Sequence, residues 1–167
     1  MSLRLVSPAS ELREQFLDMA REYLETKEEI DFSDALVDFS NYLDRTTSEQ
    51  RGLREGRVPC SHFWLLDGSI IVGTSRVRHS LTAELEREIG HIGYDIRPSR
   101  RGRGHASTLL RLTLDRAREL NLSGVWIVCD IDNVASIATA ERCGGRFHSD
   151  VISERTGAPV RRYWTAL

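Results

Sequence analysis

The sequence predicts a mixed α/β (α+β) fold: a central mixed, mostly antiparallel sheet of about six to seven strands, flanked by about four helices. Three observations carry this expectation. Apolar residues recur at helical spacing over residues 12–45 and 106–120. Strand-like runs fill residues 62–97 and 125–165, and an Asp67-Gly68 pair sits between two of them. The expected order is β-α-α-β-β-β-α-β-α-β-β, in one domain spanning residues 1–167.

Residues 3–6 form a short apolar run ended by Ser7-Pro8, as an edge strand leading into a helix would be. Leu12, Phe16, Met19, Ala20 and Tyr23 then mark one face of a helix reaching about residue 25. A second helical piece over 26–45 carries Phe32, Leu36, Phe39 and Leu43, and the polar stretch 46–58 reads as a loop. Strands at 62–66 and 69–77 flank Asp67-Gly68, a hairpin signal because both turn positions tolerate positive φ. A polar connection at 81–86 leads to a third strand at 88–97, stopped by Pro98. From Gly102 the chain turns helical, with Leu109, Leu110, Leu114 and Ala117 on one face. Residues 125–129 (VWIVC) are continuously apolar, as in a strand buried on both faces. Asn133 is placed to cap a short helix ending at Gly144-Gly145, and two strands follow at 146–152 and 160–165.

Bulk properties narrow the function. A net charge of −2 argues against a dedicated nucleic-acid binder, which needs a broad basic face to displace counterions. Cys60, Cys129 and Cys143 are odd in number and unpaired in spacing, which suits a reducing cytoplasm. The first 25 residues carry eight charged side chains, so no signal-peptide core is expected there. No run approaches the roughly 18–20 apolar residues that span a bilayer. The expected protein is soluble and cytoplasmic, with no membrane partner.

The most informative segment is Ile96-Arg97-Pro98-Ser99-Arg100-Arg101-Gly102-Arg103-Gly104-His105-Ala106, which joins a strand directly to an amphipathic helix. Two glycines one residue apart admit close backbone approach, and the amides of a first helical turn point outward unpaired. Arg100, Arg101 and Arg103 add positive charge, so the segment reads as an anion site. A solvated arginine-rich loop is the plainer reading. A dinucleotide fingerprint would need glycine where Ser107 stands and an acidic residue about 20 positions later. A phosphate-loop NTPase would need G-x-x-x-x-G-K-S/T, which is absent.

This run resembles motif A of the GNAT acetyltransferase superfamily, Gln/Arg-x-x-Gly-x-Gly/Ala. The wider string H-I-G-Y-D-I-R-P-S-R-R-G-R-G-H-A, followed by C-D-I-D-N-V-A-S, is similar to a bacterial group of GNAT acetyltransferases without an assigned substrate. The likeness is specific over residues 88–145, and Ser99 stands where Gln or Arg is usual. The resemblance implies a GNAT-like N-acetyltransferase domain using acetyl-coenzyme A as cosubstrate. In it, amides of residues 101–106 (Arg101, Gly102, Arg103, Gly104, His105 and Ala106) hold the pyrophosphate. The strand near Tyr94, Ile96 and Arg97 binds the pantetheine arm, and Asn133 and Ser136 contact the cofactor across a cleft. Asn133 is equally readable as a plain helix cap. Relatives of this architecture often pair, so a homodimer is possible on the same ground.

An amine attacks a thioester only when neutral. With a pKa of about 10.4, a lysine-like amine near pH 7.4 faces a gap of roughly 4 kcal/mol, so a base has work to do. Glu88 lies fourteen residues before Gly102, where the histone-type members of the resembled family place a catalytic glutamate; it also reads as an ordinary surface glutamate. His91 and Asp95 are the next choices and share one strand face. The family's tyrosine acid is missing, its place taken by Ala140. A thiol of pKa about 8.5 leaves with little help. Cys143 reads as a packing residue, and the other histidines show no metal spacing, so no metal is expected.

Residues 22–38 include Glu22, Glu25, Glu28, Glu29, Asp31, Asp34 and Asp38 against Lys27 alone. They form either a solvated face or an acidic rim that attracts a cationic amine. The expected activity is direct acetyl transfer from acetyl-coenzyme A to a primary amine of a small molecule or peptide. The alternative is a catalytically silent acyl-coenzyme A-binding module.

Overall fold

The hairpin signal is realised by strand β2 (Cys60–Asp67) and strand β3 (Ile70–Arg78), which turn at Gly68 with φ of 61°. In the computed structural model, which describes residues 3–26, 28, 30 and 32–167, this hairpin anchors a seven-stranded sheet. The other strands are β1 (Leu3–Val6), β4 (Ile92–Ile96), β5 (Gly124–Asp130), β6 (Arg146–Ile152) and β7 (Pro159–Ala166). Their spatial order is β1-β2-β3-β4-β5-β7-β6. Every neighbouring pair is antiparallel except β4 with β5.

Among the described residues six α-helices accompany the sheet, two more than the sequence predicts: α1 (Arg13–Leu24), α2 (Ser33–Val37), α3 (Phe39–Gln50), α4 (Ala83–Glu88), α5 (His105–Glu119) and α6 (Val134–Arg142). The single helix expected over 26–45 is broken at Asp38, whose extended backbone lets its side chain cap α3 by accepting from the Asn41 amide at 3.0 Å. Helix α3 then runs on to Gln50, through residues expected to be loop. The polar connection at 81–86 is mostly helix α4, capped by Thr82, whose hydroxyl accepts from the Leu85 amide. The third strand therefore begins at Ile92 rather than at Glu88. Short-range capping decided these boundaries, and apolar periodicity does not report it.

The core lies on both faces of the sheet. On one face Leu65, Val72, Val77, Leu109, Leu110 and Ile127 bury α5 against β2–β5. On the other, Phe16 of α1 stacks on Trp64 at 4.6 Å between centroids, with Tyr42 of α3 at 4.8 Å. Each such side chain contributes about 1.5–3 kcal/mol by leaving water. These layers hold β4 between two helical faces, which positions the site.

Candidate active site

Strands β4 and β5 share one registered parallel pair, Ile92 with Ile127, and then diverge. Beyond that point β5 stays paired to β7, and β4 stays paired to β3. The Arg97 amide donates to the Val72 carbonyl at 2.9 Å, which fixes the alternation along β4. The amides of Tyr94 and Ile96 consequently face the gap that β5 has left. A cleft of about 1100 Å³ occupies this gap and continues to the loop before α5.

Gly102 and Gly104 adopt φ of 73° and 78°. A side chain in this left-handed region costs roughly 1–2 kcal/mol, so glycine is required by backbone conformation. Gly104 is the N-cap of α5, and no side chain caps that helix. Among the described residues the amides of Gly102, Arg103 and Gly104 donate to nothing. His105 lines the same cleft, and its Nδ1 is buried without a partner. A cluster of unpaired donors at a helix N-terminus fits a diphosphate.

Of the residues expected to hold a cofactor, Tyr94, Ile96, Arg101, Gly102 and Gly104 line this cleft from one side, with His105 and Ala106. Asn133 and Ser136 line it from α6. The Asn133 side chain accepts from the Ser136 amide at 3.0 Å, so it caps α6 and faces the cleft together. The Tyr94 hydroxyl donates to the Ser136 carbonyl at 3.2 Å, tying β4 to α6 across the splay. Arg97 and Arg103 are not among the lining residues. Arg97 is turned away, its guanidinium donating to Glu22 at 2.7 Å and to the Ile71 carbonyl.

On the opposite face of β4 lies a smaller cavity, about 110 Å³, lined by Phe32, Tyr42, Trp64, Thr74, Arg76, Gly93 and Asp95 among others. Asp95 lines both this cavity and the large cleft. Burial raises its carboxyl above the ordinary range, against the opposing pull of Arg76. His62 closes the far end, bonded to Glu49 at 2.7 Å.

The profile of the Acetyltransferase (GNAT) domain family matches residues 9–146. The chain belongs to the GNAT acetyltransferase family. Solved GNAT structures superpose on it over nearly their whole length. A ribosomal-protein alpha-N-acetyltransferase, RimL, in complex with coenzyme A has a TM-score of 0.76 at 15% identity, covering 100% of this chain and 95% of its own. RimJ of Mycobacterium smegmatis with coenzyme A disulfide has a TM-score of 0.77 at 15% identity, covering 98% of this chain and 81% of its own. A putative GNAT acetyltransferase from Bordetella pertussis has a TM-score of 0.68 at 20% identity, covering 98% and 95%. No curated protein matches the chain by sequence.

Within this GNAT fold Glu88 lies outside the strand expected to carry it, and neither Glu88 nor His91 lines a cavity. Glu88 ends helix α4, and its carboxylate accepts from the Ser153 hydroxyl at 2.5 Å and from the amides of Glu154 and Arg155. The Ser153 bond, then the Glu154 amide, hold its carboxyl below the usual range. Glu88 lines neither cavity. The His91 Nδ1 accepts from the Trp126 amide at 3.0 Å while the His91 amide donates to the Trp126 carbonyl, so its ring is locked at the closed end of the splay. Burial lowers that imidazole's pKa.

The acidic rim is largely neutralised from within the chain. Glu22 is held by Arg97 and Ser99, Glu28 by Arg101, Asp34 by Arg45, and Asp38 by the Asn41 amide. Glu29, Asp31 and Lys27 lie outside the described residues. Ala140 is fully buried, so the family's usual acid position is part of the core. The Cys129 thiol is pushed up to about 12 by burial, and the Cys143 thiol is raised as well and points at the Ser107 carbonyl. No group of three metal-ligating side chains occurs among the described residues, and no helix there is long and apolar enough to cross a membrane.

Sequence reasoning missed Ala135, Thr139 and Arg142, which line the cleft from α6, and Arg76 in the smaller cavity. The first three recur with Asn133 and Ser136 at helical spacing, a signal present in the sequence. Arg76 is an exposed charge in the polar second half of β3, and only its register against Gly93 gives it meaning.

Proposed function

We propose that this chain is an acetyl-coenzyme A-dependent N-acetyltransferase that moves an acetyl group directly onto a primary amine. The observation that carries this reading is one cleft holding three features together: unpaired amides at 102–104, the orphaned His105 Nδ1, and the β4 edge exposed by the splay. RimL and RimJ, whose structures contain coenzyme A, and MccE, solved with acetyl-coenzyme A, share the fold that creates this cleft.

In this reading the amides of residues 102–106 take the diphosphate, with Arg101 and Arg142 supplying charge at the cleft. The open amides of β4 take the pantetheine arm as a strand edge takes an added strand. Acetyl-coenzyme A supplies the activated thioester carbonyl, and the Tyr94 amide is the donor placed to meet developing negative charge. Asp95, shared by both cavities, accepts the proton from the incoming amine. We assign Glu88 to anchoring residues 153–155 and His91 to closing the β4–β5 junction. The thiolate leaves unassisted, in keeping with a buried Ala140 where relatives of this type carry an acid.

A silent acyl-coenzyme A-binding module is the second reading, favoured by that missing acid and by Ser99, whose hydroxyl is already given to Glu22. Acceptor-dependent release of free thiol from acetyl-coenzyme A separates the two. Turnover with a primary amine, abolished in Asp95→Asn, supports the enzyme. Tight coenzyme A binding with no thiol release across an amine panel supports the silent module.

A further inference from the structure

The charges around the smaller cavity resolve into pairs, with two left over. Arg45 is bonded to Asp34 at 2.5 Å, and His62 to Glu49 at 2.7 Å, with Arg54 also on Glu49. Arg76 and Asp95 have no ion pair or hydrogen bond of their own among the described residues, and they do not pair with each other. They nevertheless line the same cavity from the same sheet face, because Arg76 pairs in register with Gly93 and Thr74 with Asp95. Same-face positions on a strand are about 7 Å apart. Two opposite charges therefore face one small space with room for a group between them.

Gly93 fixes where the cation lies. A Cβ at that position would stand 2.9 Å from the Arg76 Nε and 3.2 Å from its terminal nitrogen, so the guanidinium lies across bare β4 backbone. It sits one residue from Tyr94, whose amide faces the reaction gap on the other side. Phe32 and Tyr42 add apolar lining beside the two charges.

We propose that the acceptor is a small zwitterion, a primary amine carrying a carboxylate or phosphate two or three bonds away, with its anionic group on Arg76 and its amine on Asp95. The inference rests on the acetyltransferase reading and narrows its substrate class to amino-acid-like molecules. Arg76 is a specificity residue that binds and orients, and Asp95 takes the proton. In the transfer, the amine nitrogen forms the new bond to the acetyl carbon, the carbon–sulfur bond breaks, the sulfur leaves with the electron pair, and the amine's proton goes to Asp95. A guanidinium gripping a carboxylate makes a forked pair that a neutral amide does not reproduce. Polyamines, with a cation where Arg76 expects an anion, are poor acceptors.

The experiment measures thiol release from acetyl-coenzyme A with matched acceptors. These are alanine against alaninamide, 2-aminoethyl phosphate against ethanolamine, and spermidine as the cationic control. The expected result is a preference of roughly 10- to 100-fold in kcat/KM for the anionic member of at least one pair. The pair that shows it distinguishes carboxylate from phosphate. Arg76→Gln should erase that preference by raising KM with kcat little changed, and Arg76→Lys should restore part of it. Equal use of charged and uncharged members, or preference for spermidine, overturns the proposal.

Coenzyme A titration by calorimetry, run on the same protein, keeps the two claims apart. Coenzyme A binding without anion preference removes this inference and leaves the acetyltransferase reading. If no amine is acetylated, binding of N-acetylalanine to the protein decides the matter. Binding that Arg76→Gln weakens at least tenfold supports the proposal, and absent or unaltered binding overturns it.

Discussion

Glu22 grips Ser99 through both of its carboxylate oxygens: one accepts the Ser99 amide at 3.1 Å, the other the Ser99 hydroxyl at 3.0 Å. Arg97 donates to the second oxygen at 2.7 Å. Helix α1 thereby holds the start of the strand-to-helix loop that leads to the unpaired amides. Ser99, the departure from the family pattern, is thus a fixed point of the loop.

Removing that clamp should loosen the loop. Glu22→Ala is expected to lower stability by about 1–2 kcal/mol, allowing for partial exposure of the pair. Coenzyme A affinity should fall with it, read by calorimetry alongside a denaturant melt. Burial by itself would raise the Glu22 carboxyl, but Arg97 and Ser99 outweigh it and the net shift is downward. The stabilisation is therefore present above the ordinary glutamate pKa and lost as pH falls through the lowered one. A wild-type-minus-mutant stability difference that stays constant down to acid pH would count against the clamp.

Gly104 is needed for its φ, since a Cβ there would meet no atom within 4 Å. Gly104→Ala should cost about 1–2 kcal/mol of stability and weaken coenzyme A binding at least tenfold. Gly104→Val, with a branched side chain, should do more of both. Unchanged coenzyme A affinity in either variant would argue against the loop as the diphosphate site.

Asp95 links activity to stability with opposite signs. Its carboxyl titrates above the ordinary range because burial disfavours the charge. A base must be ionised, so turnover should rise with pH through that raised pKa and then level off. Between the ordinary and raised values the folded state binds more protons than the unfolded one, so stability falls as pH rises across that window. Asp95→Asn should therefore abolish most turnover yet raise the melting temperature at neutral pH. The stability gain should shrink below the ordinary carboxylate pKa. A mutant that is inactive and also less stable at neutral pH would mean Asp95 is structural.

Glu88 supplies the contrasting case. Its three bonds to residues 153–155 make it an anchor for the β6–β7 connection. Glu88→Gln should lower the melting temperature while leaving the pH dependence of kcat in place. Loss of the acidic limb of the kcat profile with unaltered stability would return the base role to Glu88.

These cases show what was legible in the sequence. The succession of strands along the chain, the Asp67-Gly68 turn, the Asn133 cap and the glycine loop are local signals, each readable within a few residues. Most of the lining of the large cleft followed from them, because one loop and one helix terminus build much of it. Glu88 was counted as strand, but it is the last residue of helix α4, and His91 is turned into the β4–β5 junction by its bonds to Trp126. That helix depends on a Thr82 cap, and polar connections carry many such residues. The proposed acceptor side was legible only in part: Asp95 stood among the candidate bases, but Arg76, nineteen positions earlier, comes to the same sheet face only through cross-strand register.

In the proposed function, the free amides around Gly102 and Gly104 receive the diphosphate of coenzyme A. Titrating coenzyme A into ¹⁵N-labelled protein while following backbone amides tests it most directly. Saturable shifts are expected, largest at residues 102–106 and with further shifts at Tyr94 and Ile96. Saturable binding that leaves the 102–106 amides where they stand in the free protein would contradict it.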